Sequence, residues 1–384
     1  MKVASQSLPQ RWQAEKLYFD SPSFFKDVLE AIQAARRSVF IELYIFDVYG
    51  LGQEVITSLL EAQSRGLDVR VIVDGIGSSS WITTDWLVDF EARGLKARVF
   101  HPVPWPFSRF FWPQTFRLSQ TFDLWRRVNR RNHKKMFLID DERAFVGSMN
   151  VAEHMVEWRE TGAQVQGGEI KKMRHSFELN WRRAFSPSSE MKLKILKLRS
   201  SELASDLVLL NHPRSLRRRK MNLWVESVQS AQKRVWITSA YFAPPLRLLA
   251  ALSQVARRGV DVKVLLPYQP DVRIMYWVHL LILAKLLESG IKVYMYLPQL
   301  LHAKSLIVDE SCWLGSSNMN QRSFLLDLEV DVKLTHEESM EALKDRFLLD
   351  ISQSHLVTKD DLKSRSTFEV LFARIVFFLF QRWI

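Results

Sequence analysis

The chain has 384 residues, 47% of them hydrophobic, and a formal charge of +12. That length and apolar content exclude a disordered chain and leave room for two domains with a sizeable core. The single cysteine, Cys312, excludes an intramolecular disulfide and a cysteine metal cluster, so a reducing compartment is the simpler reading. The basic excess points to a polyanionic partner, either nucleic acid or an anionic membrane surface. Met1 to Gln13 lacks the apolar stretch of a signal peptide, and no run of about 20 apolar residues reads as a transmembrane helix.

Ser21-Pro22 reads as an N-cap followed by proline at the first helical position, and Phe24, Val28 and Ile32 carry the helix to about Ala35. Ser38 to Phe46 is a buried strand by its β-branched and aromatic content. A helix from about Gln53 to Arg65 is stopped by Gly66, and Asp68 to Val73 is the next strand. A helix with Trp86, Leu87 and Phe90 ends at Gly94, and Lys96 to Phe100 follows as a strand. This alternation predicts an α/β layer on a largely parallel sheet.

The second half repeats the plan. Arg234 to Ser239 matches the Ser38 strand, and a helix from Leu246 to Arg257 ends at Gly259. Asp261 to Leu266 echoes Asp68 to Val73, and an apolar helix from about Val272 to Gly290 precedes the strand Ile291 to Tyr296. Within that helix, Ile274 to Leu287 is expected to be buried at the domain interface, with Met275 and Trp277 near a lipid entrance. Gly66 and Gly259 are 193 residues apart, Gly94 and Gly290 196, but His133 and His302 only 169. A period near 190 indicates a duplicated domain, and the shortfall of 27 residues places an extra segment in the first half. The expected organisation is an N-terminal domain over 1–190 with an insertion at 101–130, a C-terminal domain over 203–356 and an amphipathic tail over 366–384.

In the insertion, Trp105, Phe107, Phe110, Phe111 and Trp112 alternate with arginines. The mixture suits a membrane interface ahead of a nucleic-acid groove or a loop packed on the body of the protein. The tail, helical from Phe368 to Ile384, would reach about 25 Å, short of a hydrocarbon core of roughly 30 Å. It reads as an in-plane interfacial helix or a docked terminal helix.

One pattern occurs twice: His133-x-Lys135-x-x-x-x-Asp140 with Gly147-Ser148-x-Asn150, and His302-x-Lys304-x-x-x-x-Asp309 with Gly315-Ser316-x-Asn318. On a strand, His133 and Lys135 share a face that Phe137 continues, with Met136, Leu138 and Asp140 on the other. Two such pairs facing each other make a pocket for a phosphodiester. The lysines stabilise charge on non-bridging oxygens, and Asn150 and Asn318 add hydrogen bonds. One imidazole attacks phosphorus while the other protonates the leaving oxygen, so one is neutral and one charged. No metal is expected, because lysines stand where further ligands would be needed. Glu42, in a buried strand, needs a partner, either at the site or in a structural ion pair.

The paired motif resembles the phospholipase D superfamily from about Phe24 to Phe347. Within it the chain is most similar to bacterial cardiolipin synthases of the short form without N-terminal transmembrane helices. Ile41-Glu42, Trp158-Arg159-Glu160-Thr161 and Gly315 to Ser323 leading to Leu328-Glu329 carry that similarity. The family usually has aspartate where this chain has Asn320 and Glu160. The resemblance implies two similar α/β domains sharing one site at a pseudo-twofold interface, a phosphatidyl-histidine intermediate, and neither metal nor cofactor. It implies His133 as nucleophile and His302 as general acid, with Glu329 and Glu160 orienting them across the interface. Asp140 and Asp309 belong to the motif but are expected to hold strands and loops, and Ser148 and Ser316 to support the phosphate pocket.

The function expected is phosphatidyl transfer from phosphatidylglycerol to the hydroxyl of a second phospholipid headgroup. The enzyme would be peripheral on the cytoplasmic face of a bacterial inner membrane, with anionic phospholipid and not nucleic acid as partner. The alternative is a phospholipase D or a nuclease using the same two histidines. A lipid-binding protein without activity is disfavoured, because both motif sets are intact.

Overall fold

The computed structural model describes residues 11–102 apart from 80 and 82–84, residues 129–185 and 200–363, and residues 369, 372 and 373. Trp105, Phe107, Phe110, Phe111, Trp112 and nearly all of the tail lie outside the described residues, as does the linker at 186–199. No described helix is long and apolar enough to cross a membrane.

Two mixed sheets organise the chain. The first holds β1 (Ala14–Tyr18), β2 (Ser38–Leu43), β3 (Asp68–Asp74), β4 (Lys96–Phe100), β5 (Met136–Ile139), β6 (Arg143–Gly147) and β7 (Gly162–Gln166), in the order β1-β7-β6-β5-β2-β3-β4. The second holds β8 (Val208–Leu210), β9 (Arg234–Thr238), β10 (Asp261–Pro267), β11 (Lys292–Tyr296), β12 (Ser305–Val308), β13 (Ser311–Gly315), β14 (Val330–Lys333) and β15 (Ser354–Leu356), in the order β15-β11-β10-β9-β12-β13-β14-β8. The strands read as matching in the two halves occupy matching places, with β2-β3-β4 and β9-β10-β11 parallel.

The expectation of largely parallel sheets is corrected. All remaining pairings are antiparallel, because each motif runs down one strand and returns through a tight turn, β5 to β6 and β12 to β13. A turn that short can join only antiparallel neighbours. β1, which the sequence reading passed over, pairs with β7. Helix α1 (Ser21–Ala34) starts one residue earlier than expected, since the Asp20 carboxylate, not Ser21, caps it by accepting the Ser23 amide at 2.8 Å.

Strand alternation sorts the core. Val39, Ile41, Phe137 and Phe145 lie under α1 and α2 (Leu51–Ser64). Phe40, Met136, Leu138 and Val146 turn the other way. They join Trp236, Ile307, Leu314 and Val330 of the second sheet in one central core. Val235, Ile237, Val264 and Leu306 form the outer core of the second half. The apolar helix expected at the domain interface, Arg273–Glu288, instead packs outward: Leu283 and Leu286 join that outer core, and Met275 and Val278 pack on Ala243. The central core is already filled by side chains of the two sheets, so it offers this helix no face. The N-terminal segment also bridges the halves, with Trp12 Nε1 donating to the Lys333 carbonyl at 2.8 Å and the Thr335 amide to Glu15 at 2.7 Å.

Asp140 and Asp309 end β5 and β12 in left-handed backbone conformations, φ 56° and 50°, a region aspartate enters more readily than most residues. Each carboxylate gathers three backbone amides: Arg36, Arg37 and Ser38 at 2.9, 2.7 and 2.9 Å, and Gln232, Lys233 and Arg234 at 2.9, 2.8 and 2.9 Å. Partial burial opposes ionisation, yet these amides outweigh it and hold both carboxyls below the ordinary range. Asp309→Ala is therefore expected to cost about 2 kcal/mol of stability in urea unfolding at pH 7. In the wild type the contribution is present above the unfolded aspartate pKa and is lost as the pH falls through the lower folded one.

Candidate active site

Both motif histidines sit where the two halves join by backbone hydrogen bonds. Asn132 and Leu328 form a parallel bridge, with the His133 amide donating to the Leu328 carbonyl at 2.9 Å and the Leu328 amide to the Arg131 carbonyl at 2.9 Å. Arg159 and Leu301 form the second bridge: the Arg159 amide donates to Leu300, and the His302 and Ala303 amides donate to Arg159, all at 2.9 Å. In each bridge a histidine of one half lies beside the residue preceding a glutamate of the other. Leu328 precedes Glu329 and Arg159 precedes Glu160.

The side chains follow from that register. His133 Nδ1 lies 3.1 and 3.2 Å from the two Glu329 oxygens, and His302 Nδ1 lies 2.7 Å from Glu160 Oε1. With each Nδ1 held by a carboxylate, each Nε2 is left for chemistry. Neither Nε2 has a protein partner among the described residues. Lys135 Nζ donates to the His133 carbonyl at 2.9 Å and Lys304 Nζ to the His302 carbonyl at 2.6 Å, so each ammonium turns back beside its own histidine. His133 to Lys135 precede β5 rather than forming part of it.

The two histidine–carboxylate pairs are not equivalent. Glu329 also accepts the Ser316 hydroxyl at 2.5 Å and the Ser323 hydroxyl at 2.6 Å. Burial raises its pKa against the pull of Lys135. Burial also raises the cost of ionising Glu160, but the His302 and Lys304 charges win and its carboxyl lies below the ordinary range. His133 is pushed well below the usual imidazole range, by burial first and then by Lys135, Lys304 and His302. Burial lowers His302 as well, and Glu160 works against that shift. The short single bond to an ionised Glu160 marks His302 as the better proton holder. Burial brings Lys135 down to about 7 and Lys304 to about 8.

Of the other residues singled out in the sequence, the two asparagines hold equivalent loops. Asn150 Oδ1 accepts the Ile45 amide at 3.2 Å and Asn318 Oδ1 the Tyr241 amide at 3.3 Å. Ser148 exchanges hydrogen bonds with Thr161, accepting its amide at 2.9 Å, and so steadies the residue after Glu160. Glu42 is not at the reacting centre. It accepts from Asn180 at 2.5 Å and Asn132 at 2.9 Å and pairs at 3.4 Å with buried Lys134, the residue between His133 and Lys135. Asp140 and Asp309, counted with the catalytic set, stand seven residues beyond the histidines. That is roughly 23 Å of extended chain, and both are committed to the amides described above.

Several neighbours were not read from the sequence. Tyr44 lies 4.9 Å ring to ring from His133, and Lys135 Nζ lies 5.3 Å from the Tyr44 ring. Trp158 stands edge-on to His302 at 5.5 Å. The Tyr241 hydroxyl donates to Asp271 at 2.6 Å. Arg322 lends positive charge to His133 while bonding Asp327 at 2.8 Å. Tyr44 and Tyr241 lie on the loops after β2 and β9 that Asn150 and Asn318 hold, and no spacing in the chain marks which side chains of those loops approach the histidines. Among the described residues no three His, Cys, Asp or Glu side chains group so as to hold a metal ion.

Residues 28–181 and 225–351 match the family described as cardiolipin synthase, phospholipase D-like domain. The chain is 29% identical over 364 residues to a cardiolipin synthase of Clostridium perfringens, an alignment covering 91% of this chain and 73% of that protein. It is 29% identical over 368 residues to cardiolipin synthase A of Pseudomonas entomophila, covering 94% and 73%. Its fold is similar to the crystal structure of a phosphatidylserine synthase from Haemophilus influenzae, with TM-score 0.69, 14% identity and coverage of 98% and 94%. It is also similar to a polyphosphate kinase from Porphyromonas gingivalis, with TM-score 0.57, 10% identity and coverage of 88% and 50%.

His302 is expected to bind its proton at higher pH than His133. Imidazole 15N shifts followed against pH check this, and Glu160→Gln should move the His302 transition to lower pH because the partner charge is gone. Titration of His133 first would reverse the assignment.

Proposed function

We propose that this chain, which belongs to the cardiolipin synthase, phospholipase D-like domain family, is a phosphatidyltransferase that works through a covalent phosphohistidine. The observation that carries the reading is the crossed pairing: each histidine Nδ1 is held by a glutamate of the other half, and a buried lysine flanks each. Neutral His133 attacks the phosphorus of phosphatidylglycerol through Nε2. The N–P bond forms as the P–O bond to glycerol breaks, and His302 gives its Nε2 proton to the departing oxygen. His302, now neutral, takes the proton of the incoming headgroup hydroxyl, whose oxygen displaces His133. Lys135 and Lys304 stabilise the negative charge on the non-bridging oxygens throughout.

Glu329 and Glu160 hold the two imidazoles in the tautomer that presents Nε2, and Glu160 stabilises the imidazolium of His302. Ser316 and Ser323 fix the Glu329 carboxylate, which is the support they give the phosphate pocket. Asn150, Asn318 and Ser148 act at one remove, by holding the loops and strand ends that carry the charged groups. The charge of +12 draws the chain to anionic lipid, and the enzyme acts peripherally on the cytoplasmic face of the inner membrane.

Three outcomes test the reading. His133→Asn and His302→Asn each abolish lipid product from phosphatidylglycerol vesicles, and wild-type synthesis by either would end the two-histidine mechanism. Mass analysis of the wild-type reaction should find cardiolipin with released glycerol, whereas phosphatidic acid alone would mean that water is the acceptor. Binding an anion favours the protonated lysines, so KM should rise as the pH passes from about 7 to above 8, where Lys135 and then Lys304 lose their charge. A KM flat across that interval would remove the lysines from phosphate binding.

A further inference from the structure

A second cationic cluster lies beside the first seam, outside the two-histidine site. His212, on the loop before the helix Arg214–Ser230, is held between two guanidiniums. Arg130 Nη2 lies 2.6 Å from its Nδ1, and Arg183 Nη1 is in close contact with its Nε2. A neutral imidazole has one lone pair and one N–H, so it accepts from only one of these two donors. The other ring nitrogen presents an N–H to a guanidinium that has only N–H groups to offer. Burial and the charges of Arg130, Arg183, Lys134 and Arg217 hold His212 far below the usual imidazole range, so the ring stays neutral and keeps its single acceptor.

Among the described residues no carboxylate forms an ion pair with Arg130, Arg183, Arg214 or Arg217. Arg130 is crowded by Arg217, Arg183 and Arg214. Arg217 spends its Nη atoms on the carbonyls of Leu325, Leu326 and Asp327. The buried Nε atoms of Arg130 and Arg217 have no hydrogen-bond partner among the described residues. Asp327 tempers both arginines from a distance, but its carboxylate is committed to Arg322 at 2.8 Å and to the Arg131 amide at 3.1 Å. The helix Arg214–Ser230 begins here with no side-chain cap and points its positive dipole end at the same place.

We propose that Arg130, Arg183, Arg214 and Arg217 form, around His212, a second anion site that takes a phosphate group, distinct from the two-histidine site. A phosphate oxygen accepts the imidazole N–H and the Arg183 N–H that now face each other, removing the donor–donor contact. The guanidiniums supply the forked donors suited to it. Arg130 is three residues before His133, and Arg217 grips the carbonyls just before Leu328. An occupant therefore bears on both strands of the seam that sets Glu329 against His133.

The test reads binding, so it is separate from turnover and from the proposed reaction. Inorganic phosphate is titrated into the full chain while the imidazole 15N signals of His212 are followed. In parallel, flotation with vesicles of phosphatidylglycerol in phosphatidylcholine is compared with phosphatidylcholine alone. Arg183→Gln/Arg214→Gln changes two exposed members of the cluster, and Arg218→Gln/Arg219→Gln removes the same amount of charge from neighbouring exposed positions outside it. A His212 shift with millimolar phosphate that the first double variant loses and the second keeps supports a free-phosphate site. A loss of vesicle binding on the order of tenfold in the first variant, and a much smaller loss in the second, supports a lipid headgroup. If His212 ignores phosphate and both variants lose vesicle binding equally, the cluster is a diffuse basic surface and the proposal fails. Arg183→Gln alone serves where the double variant does not fold.

Discussion

The two backbone bridges between the halves are the constraint on which the site depends. At Asn132–Leu328 and Arg159–Leu301, amides and carbonyls that would otherwise be buried without partners satisfy one another across the domain boundary. Breaking either bridge would strand these groups, so the register between the halves resists slipping by even one residue. That register places Glu329 on His133 and Glu160 on His302. Neither half owns a complete histidine–glutamate pair. The central core, drawn from the inner faces of both sheets, supplies the apolar burial that makes the bridges permanent.

Burial then sets the chemistry. His133, His302, Lys135, Lys304, Glu160 and Glu329 are each less than a tenth exposed. In such surroundings four basic groups cannot all hold protons against two carboxylates, and the lysines come down to about 7 and 8 while His133 is pushed well below the usual imidazole range. In the proposed reaction a phosphodiester supplies the negative charge that balances these groups. The charge balance of the site is thus poised toward an anion, and its two imidazoles differ in proton affinity because one carboxylate serves two serine hydroxyls and the other serves none as tightly.

The duplication is close in its scaffold and loose in its surroundings. Asp140 and Asp309 repeat the same three-amide grip, and Asn150 and Asn318 hold equivalent loops. Between His and Lys, however, the first copy buries Lys134 against Glu42 while the second places Ala303. The second half has its own buried pair elsewhere, Lys220 with Asp331 and Ser317. The basic cluster around His212 has no counterpart among the described residues. The extra positive charge lies at the first seam.

Much of this was legible in the chain itself. The repeated H-x-K and G-S-x-N spacings, the matching β-branched runs and the glycines that stop matching helices are local patterns. Local patterns fix which strands and helices form and that the architecture is doubled. The lysine and histidine pairing followed from the chemistry of those residue types. What required the tertiary structure was everything set by distant neighbours: that the sheets are mixed, that Glu42 serves Lys134, that Ser316 and Ser323 both load Glu329, and that Tyr44 and Trp158 flank the imidazoles. Those contacts join residues from 13 to 196 positions apart in all but one of the hydrogen bonds that define the pairs. No periodicity along a chain records which of many possible partners a fold brings within 3 Å, because that choice is made by the packing of two sheets and the register of two bridges.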